Sequence, residues 1–502
     1  MRVEYISHAS VLIHAGGRRL LTDPWWVGPC YANQWHVFPR PLNASLADTA
    51  DVILISHGHQ DHLHEPTLRA LNKDRPVYYP FLWYEGTAQC IASLGFERVV
   101  EADSWRTYDL GEGVSLTYVV NGQDSIMVVE ADGRVLVNVN DALHSSDPAT
   151  IDLFTGSIVR RWPNIDVVLC GFGGASYYPN VFHAPGKDDA AVAKLREEFF
   201  AYNFCRISAA LNPVVAVPFA ADFVLLHEGQ SWINATRFPR EHMAAMFEQR
   251  CRRAGVRTTV QTMYSGDVLD GTVLVARSPY RAQIQDQAEL HHLMRDQYPQ
   301  APSAFVIDMV TKAAANTLVE TLRAHIAAES RHYGAAELSQ ASCFCVEVLD
   351  APPPNKYEVR MVGREAAVTR AAQVPADAIA HIRVCHAPLL HSLSEDWGAD
   401  DLLIGYGCRI EAKRQADLPW ARLCAELLMR HPHPGAYLKA HPRRALRYLL
   451  QNRLGVLQKI KRRLSGVRGT NVVGGSFWVT DSSDAIRDRV ALHPAESLHL
   501  PG

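Results

Sequence analysis

The chain has 502 residues, 48% hydrophobic and 21% charged, with a formal charge of −3 at pH 7. That length exceeds one ordinary core and calls for two or three domains. The near-neutral balance excludes general nucleic-acid binding by charge, and no uncharged apolar run reaches the roughly 18–20 residues that span a bilayer.

Residues 1–8 alternate polar and apolar as a first strand does, not as a signal peptide does. Residues 3–6, 10–14 and 19–21 read as a meander turning at Gly16-Gly17. Residues 51–56 read as a fully buried strand, with a helix near 66–72. A second strand run follows at 114–120, 125–130 and 134–138, with turns at Asn121-Gly122 and Asp132-Gly133. Residues 166–170 and 214–217 are apolar strands flanking a helix at 188–211. This order predicts an α/β fold, an αββα sandwich over residues 1–270 with its site at the strand ends. Residues 271–502 form a C-terminal α+β extension. It is helical over 283–330 apart from a break near 298–303, then carries strands at 343–349, 357–362 and 366–370. Its pattern up to residue 410 faintly resembles a sterol-carrier-like unit; a small packing domain is the plainer reading. The ten cysteines have no paired spacing and lie mostly in apolar runs, as buried free thiols of a reducing cytoplasm would.

Chemistry concentrates in Ser56-His57-Gly58-His59-Gln60-Asp61-His62, directly after the buried strand. These four metal-competent side chains cannot share one helix face. On a tight loop they split into two pairs, His57/His59 and Asp61/His62, and imidazole with carboxylate suits zinc, iron or manganese. A dinuclear site needs more donors. Asp141, after the strand at 134–138, is positioned to bridge two ions, against a reading as a helix N-cap. Asp124 is a further candidate, against a reading as a turn residue. His227 follows a strand end and is preferred to His183, although a lone histidine is more often structural. His8 and Asp23 lie at strand ends, where hydrogen bonding to a ligand histidine would suit them. Trp25, Trp26 and Trp35 belong to an aromatic, proline-rich loop. With Tyr177 they are candidates for the wall of an apolar substrate pocket; a packed surface loop is an equal alternative.

Residues 442–464 carry eight Lys and Arg, no acidic residue, and leucines at three- and four-residue steps. This is a basic amphipathic helix. The ordinary outcome is one face packed and the other solvated. The functional alternative is docking to an acyl carrier protein, to coenzyme A phosphates or to an anionic surface.

The loop motif resembles that of the metallo-β-lactamase superfamily. Leu21-Thr-Asp-Pro-Trp25, Ile55 through Leu63, Asn138-Val-Asn-Asp141, Gly173-Gly-Ala-Ser176, Pro218-Phe-Ala220 with His227, and Trp397 through Gly405 together resemble its CMP-N-acetylneuraminate hydroxylase-like branch. The resemblance implies His57, His59 and Asp124 on one metal, Asp61, His62 and His227 on the other, and Asp141 between them. Hydrolases of the superfamily usually place a third histidine where this chain offers Asp124. The harder, more anionic donor favours iron over zinc, as in the diiron hydroxylases of this fold in natural-product pathways, diterpenoid antibiotic biosynthesis among them. The expected function is therefore a cytoplasmic non-haem diiron monooxygenase, using O2 to hydroxylate a C–H bond of a small, lipophilic or carrier- or CoA-linked biosynthetic intermediate. The Cys-x-His and Cys-x-x-His pairs of a Rieske domain are absent from the sequence, so electrons are expected from an external reductase. The alternative is a dizinc hydrolase of an ester, lactone or phosphodiester; a third reading is a lipid- or carrier-binding scaffold with a relic site.

Overall fold

Two mixed sheets face each other in the computed structural model, which describes residues 1–174, 177–252, 255–301, 310–396, 398–430 and 433–456. The first has eight strands in the order Val273–Val275, Val268–Asp270, Arg2–Ser7, Ser10–Ala15, Arg18–Thr22, Val52–Leu54, Val77–Pro80, Val99–Ala102. The second has seven, in the order Thr259–Val260, Val215–Phe219, Val167–Gly171, Arg134–Asn140, Asp124–Ala131, Val114–Asn121, Thr107–Gly111. The turn chemistry matches the backbone: Asp132 and Gly133 both take positive φ (54° and 68°) between paired Ala131 and Arg134, as a tight two-residue hairpin requires.

Side-chain alternation decides what each face does. Met127 and Val129 enter the core between the sheets, while Ile126 and Val128 point to the outer helices. Val52 and Leu54 likewise face inward, and Ile53 and Ile55 outward. Both faces are buried, which is why these strands read as continuous apolar runs. Helices Pro148–Arg161, Asp189–Leu211 and Met243–Arg250 cover the second sheet, and Glu65–Ala70 and Gly86–Ser93 the first. The αββα expectation holds.

In each sheet one half is an antiparallel meander and the other is parallel. Crossover connections between parallel strands bring their C-terminal ends to one rim. Chain segments after Thr22, Leu54, Asn140, Gly171 and Phe219 therefore emerge together. That rim is where Asp23, residues 57–62 and Asp141 lie.

A third sheet has six strands, in the order Phe182–His183, Cys408–Ala412, Ala380–Val384, Cys343–Val348, Lys356–Val362, Glu365–Ala371. It corrects the division at residue 270. Val273–Val275 completes the first sheet, and Phe182–His183 belongs to the third. The core under the third sheet also takes in Trp25, Tyr31 and Trp35 from the amino-terminal half, so the two regions share buried surface. All ten cysteines are free thiols, nine of them buried, and no helix among the described residues is long and apolar enough to cross a membrane.

The basic helix is turned opposite to the ordinary expectation. Its described part is Pro442–Gln451; residues 457–464 lie outside the described residues, as does Trp397. Arg444 donates to Glu101 at 2.6 Å and to the carbonyls of Leu82, Trp83 and Tyr84, and Arg447 pairs with Asp103. Leu446, Leu449 and Leu450 are 60%, 46% and 69% exposed. Charge-assisted bonds to a carboxylate and to a strand-end carbonyl cluster outweigh leucine burial here. Arg444→Ala is expected to cost about 1–3 kcal/mol in urea unfolding and to speed amide exchange over 442–451; unchanged exchange there would show that the arginine does not dock the helix.

Candidate metal centre

Asp23 organises the site. It is fully buried, takes φ 34°, and follows the strand Arg18–Thr22. Its Oδ1 accepts the Ser56 N–H at 2.7 Å, and its Oδ2 accepts the Ser56 hydroxyl at 2.7 Å, the Asn140 amide and His62 Nδ1–H at 3.2 Å. The histidine tautomers follow from this. Ser56 Oγ has spent its proton on Asp23, so at 2.8 Å it accepts from His57 Nδ1–H. His57 and His62 thus both hold an Nδ1–H toward this network and turn Nε2 toward the pocket, the orientation that carboxylate partners impose on ligating histidines.

The two Nε2 atoms aim at the remaining donors. His57 Nε2 is 2.8 Å from His59 Nδ1 and 3.8 Å from Asp124 Oδ1. His62 Nε2 is 3.3 Å from Asp141 Oδ2 and 3.5 Å from Asp61 Oδ2. Asp124 sits opposite Asn121 at the tip of a hairpin whose Gly122 has φ 72° and opens the strand Asp124–Ala131. Asp141 follows the strand Arg134–Asn140. Gly171 leaves room beside it, since a Cβ there would crowd both Asp141 Oδ1 and the Asn140 carbonyl at 3.0 Å.

Asp61 is held from two sides. Tyr31 donates its hydroxyl to Oδ1 at 2.6 Å, and His8 Nε2 lies 3.0 Å from Oδ2. His8 Nδ1 accepts the Asp222 N–H at 3.1 Å, so its proton is on Nε2 and it donates to Asp61. The sequence reading has His8 supporting a ligand histidine; the carboxylate is its partner instead.

The electrostatics are those of a cation site. Asp23, Asp61, Asp124 and Asp141 converge, and no Lys or Arg side chain bonds to any of them among the described residues. Two unit charges 4 Å apart interact by about 4 kcal/mol at an effective dielectric near 20. Burial pushes the Asp124 carboxyl up. Burial works the same way on Asp141, but His62 and His144 outweigh it and hold that carboxyl well below the usual range. His62 is raised by Asp61 and Asp141 although burial works against it. Asp124 Oδ1 and Asp141 Oδ1 are buried without a hydrogen-bond partner, where hydrogen bonds are the rule. These donors fit one or two metal ions.

Donor atoms lying within 4.8 Å of one another fall into three overlapping groups here: His57, His59 and Asp124; His57, His62 and Asp141; His8, Asp61 and His62. Six of the seven sequence candidates are thereby brought together, with Asp141 sharing His57 with one trio and His62 with the other. None of the groups includes His227. It is buried and lies near His36, whose pKa is pushed down to about 4 by burial and by His227. A single histidine after a strand carries no signal of direction, which is why spacing alone selects it.

A cavity of about 820 Å³ opens beside the centre, between the sandwich and the C-terminal region, lined among others by Tyr31, Gln60, Arg69, Tyr84, His391 and Asp400. Trp25, Trp26, Trp35 and Tyr177 do not line it. Trp25 and Trp35 are 0% and 1% exposed, and Trp35 stacks on Phe223 at 3.6 Å, so both belong to the core. Tyr177 packs on the C-terminal core. Of the aromatic loop it is Tyr31 that reaches the cavity; Asn140, Asp222 and Asp400 are residues at this rim that sequence reasoning missed.

Residues 2–148 match the family model described as "Beta-lactamase superfamily domain". That match and the αββα layering give the amino-terminal part a metallo-β-lactamase fold, to which an additional C-terminal region is joined. Curated relatives include proteins named as hydroxylases. The chain is 27% identical to the cytidine monophosphate-N-acetylneuraminic acid hydroxylase of Danio rerio, over 59% of this chain and 50% of that protein. It is 27% identical to the Xenopus laevis protein of the same name, over 48% of this chain and 41% of that one. The chain thus spans about half the length of the curated relatives it matches. Among solved structures it is similar to a mutant of CmlA beta-hydroxylase, with 19% identity, 53% of each chain covered and a TM-score of 0.37.

Removing the organising carboxylate tests the arrangement. Asp23→Ala is expected to weaken metal retention by about 10–100-fold and to lower Tm, read as metal per chain after dialysis against graded chelator. Retention equal to the parent protein would show that the His57 and His62 tautomers do not depend on Asp23.

Proposed function

We propose that this protein is a non-haem diiron monooxygenase that hydroxylates a C–H bond of a small molecule. The observation that carries the reading is the donor set: three histidines and three aspartates, with Asp124 beside His57 and His59. A carboxylate in that place makes the site harder and more anionic, which favours iron over zinc. His57, His59 and Asp124 would hold one ion, Asp61 and His62 the other, and Asp141 would lie between them. When bound, the two irons supply the reduction of O2, one oxygen atom entering the C–H bond and the other leaving as water at the expense of two electrons and two protons. Distant relation to hydroxylases supports the same class.

The chain's own residues prepare that chemistry. Asp23 and Ser56 fix the two imidazoles with Nε2 inward. Tyr31 and His8 hold the Asp61 carboxylate in one orientation. His57 and His62 are themselves buried, at 1% and 0% exposure. The electrons would come from a separate reductase, and the substrate would enter from the cavity beside Gly58 and Tyr84.

Protein purified without added metal is expected to contain about two irons per chain and, after growth on labelled iron, to give the Mössbauer spectrum of a coupled diferric pair. Zinc in place of iron, without O2 consumption, would overturn the reading and select a hydrolase. Asp124→His, purified in the same way, is expected to raise the zinc-to-iron ratio; an unchanged ratio would remove Asp124 as the determinant.

A further inference from the structure

A second, smaller cavity of about 40 Å³ lies directly over the histidines, lined by His57, Gly58, His59, Leu82, Trp83, Tyr84, Thr87, Gln123 and Asp400. It shares Gly58, Tyr84, Thr87 and Asp400 with the 820 Å³ cavity. These four form the passage between chamber and metal centre. Asp400, from helix Ala399–Leu403 of the C-terminal region, is the one carboxylate among them.

The charges around the chamber are otherwise matched. Arg69 pairs with Glu65 at 2.8 Å and Arg430 with Asp396 at 2.8 Å. His391 lies 2.6 Å from Asp401, whose other oxygen accepts the Gln60 amide at 2.8 Å. Tyr84 donates its hydroxyl to Asp396 at 2.6 Å. Asp400 and Glu395 remain, and neither forms an ion pair with a Lys or Arg among the described residues. A phosphate-bearing ligand would find both lining arginines already engaged by carboxylates. A cation would find Asp400, half-buried between His59 and Asp401, at the mouth of the metal pocket, where partial removal from water strengthens the attraction.

We infer that the 820 Å³ cavity is the substrate chamber and that Asp400 anchors a cationic, amine-bearing group of the substrate at the passage to the metal centre. The inference rests on His57 and His59 belonging to the reacting centre. It makes Asp400 a positioning residue supplied by the C-terminal region, and it makes nucleotide- and CoA-linked substrates poor ligands for this chamber.

The test is a titration of the full-length protein, as purified, with three probes of similar size: phenethylamine, 2-phenylethanol and phenyl phosphate. Phenethylamine is expected to bind at least about tenfold more tightly than the alcohol, with phenyl phosphate weakest. In Asp400→Asn that preference should fall to near parity while the affinity for 2-phenylethanol stays the same. Absence of amine binding, equal or tighter binding of the alcohol or the phosphate, or a preference retained in Asp400→Asn would each overturn the inference. The ranking on the unmodified protein decides even if the variant does not fold. Since no turnover is involved, a zinc-containing protein that prefers the amine would sink the monooxygenase reading alone; an iron-containing one indifferent to the amine would sink this inference alone.

Discussion

One buried carboxylate ties this molecule together. Asp23 leaves the end of a first-sheet strand with a left-handed backbone and draws four hydrogen bonds. Two come from Ser56, at the end of a neighbouring strand in the same sheet, and one comes from Asn140, at the end of a strand in the opposite sheet. It therefore clamps the two sheets together at the rim and orients the residues that face the metal pocket. Its own charge is tolerable in the core because all four donors converge on it. The φ values above zero at His8, Asp23, Asn140 and Ala220 are the backbone cost of that convergence.

What was legible from sequence follows from what periodicity encodes. A strand with two buried faces writes itself as an apolar run, and a ligand loop that follows it writes its donors in adjacent positions. Residues 52–62 carry both signals, and Asp124 and Asp141 borrow theirs from tight turns and strand ends. Tyr31, Asn140 and Asp222 carry none, because each acts on a partner 30, 117 or 214 positions away and only the fold brings the two together. The His227 expectation failed to find a donor group for the same reason: strand-end position is known from sequence, but direction is not.

In the aromatic loop and the basic helix, a side chain's character does not tell which way it faces. Trp25 and Trp35 are large enough to wall a pocket, yet they fill the seam between the sandwich and the C-terminal region. Tyr31, from the same loop, turns its hydroxyl to Asp61. Arg444 would be solvated on an isolated helix, but here the carbonyls of Leu82 and Trp83 and the Glu101 carboxylate offer a fork-shaped donor more than water does, and Leu446, Leu449 and Leu450 are left outside. In both cases the available partners, not hydropathy, decided the orientation.

The C-terminal region is accordingly part of the site and not an appendage. Gly405 approaches Tyr31 so closely that a Cβ there would stand 2.4 Å from the tyrosine Cβ. Asp401 takes a hydrogen bond from Gln60, inside the ligand loop, so the loop carrying His57, His59, Asp61 and His62 is braced from both sides. The charge pattern of the whole rim then has a single logic. Among the described residues the metal pocket collects carboxylates with no lysine or arginine bonded to them, and the chamber beside it pairs its arginines and leaves acidic groups over. Both then have room for positive charge from outside: metal ions in the pocket, and the molecule that enters at the passage.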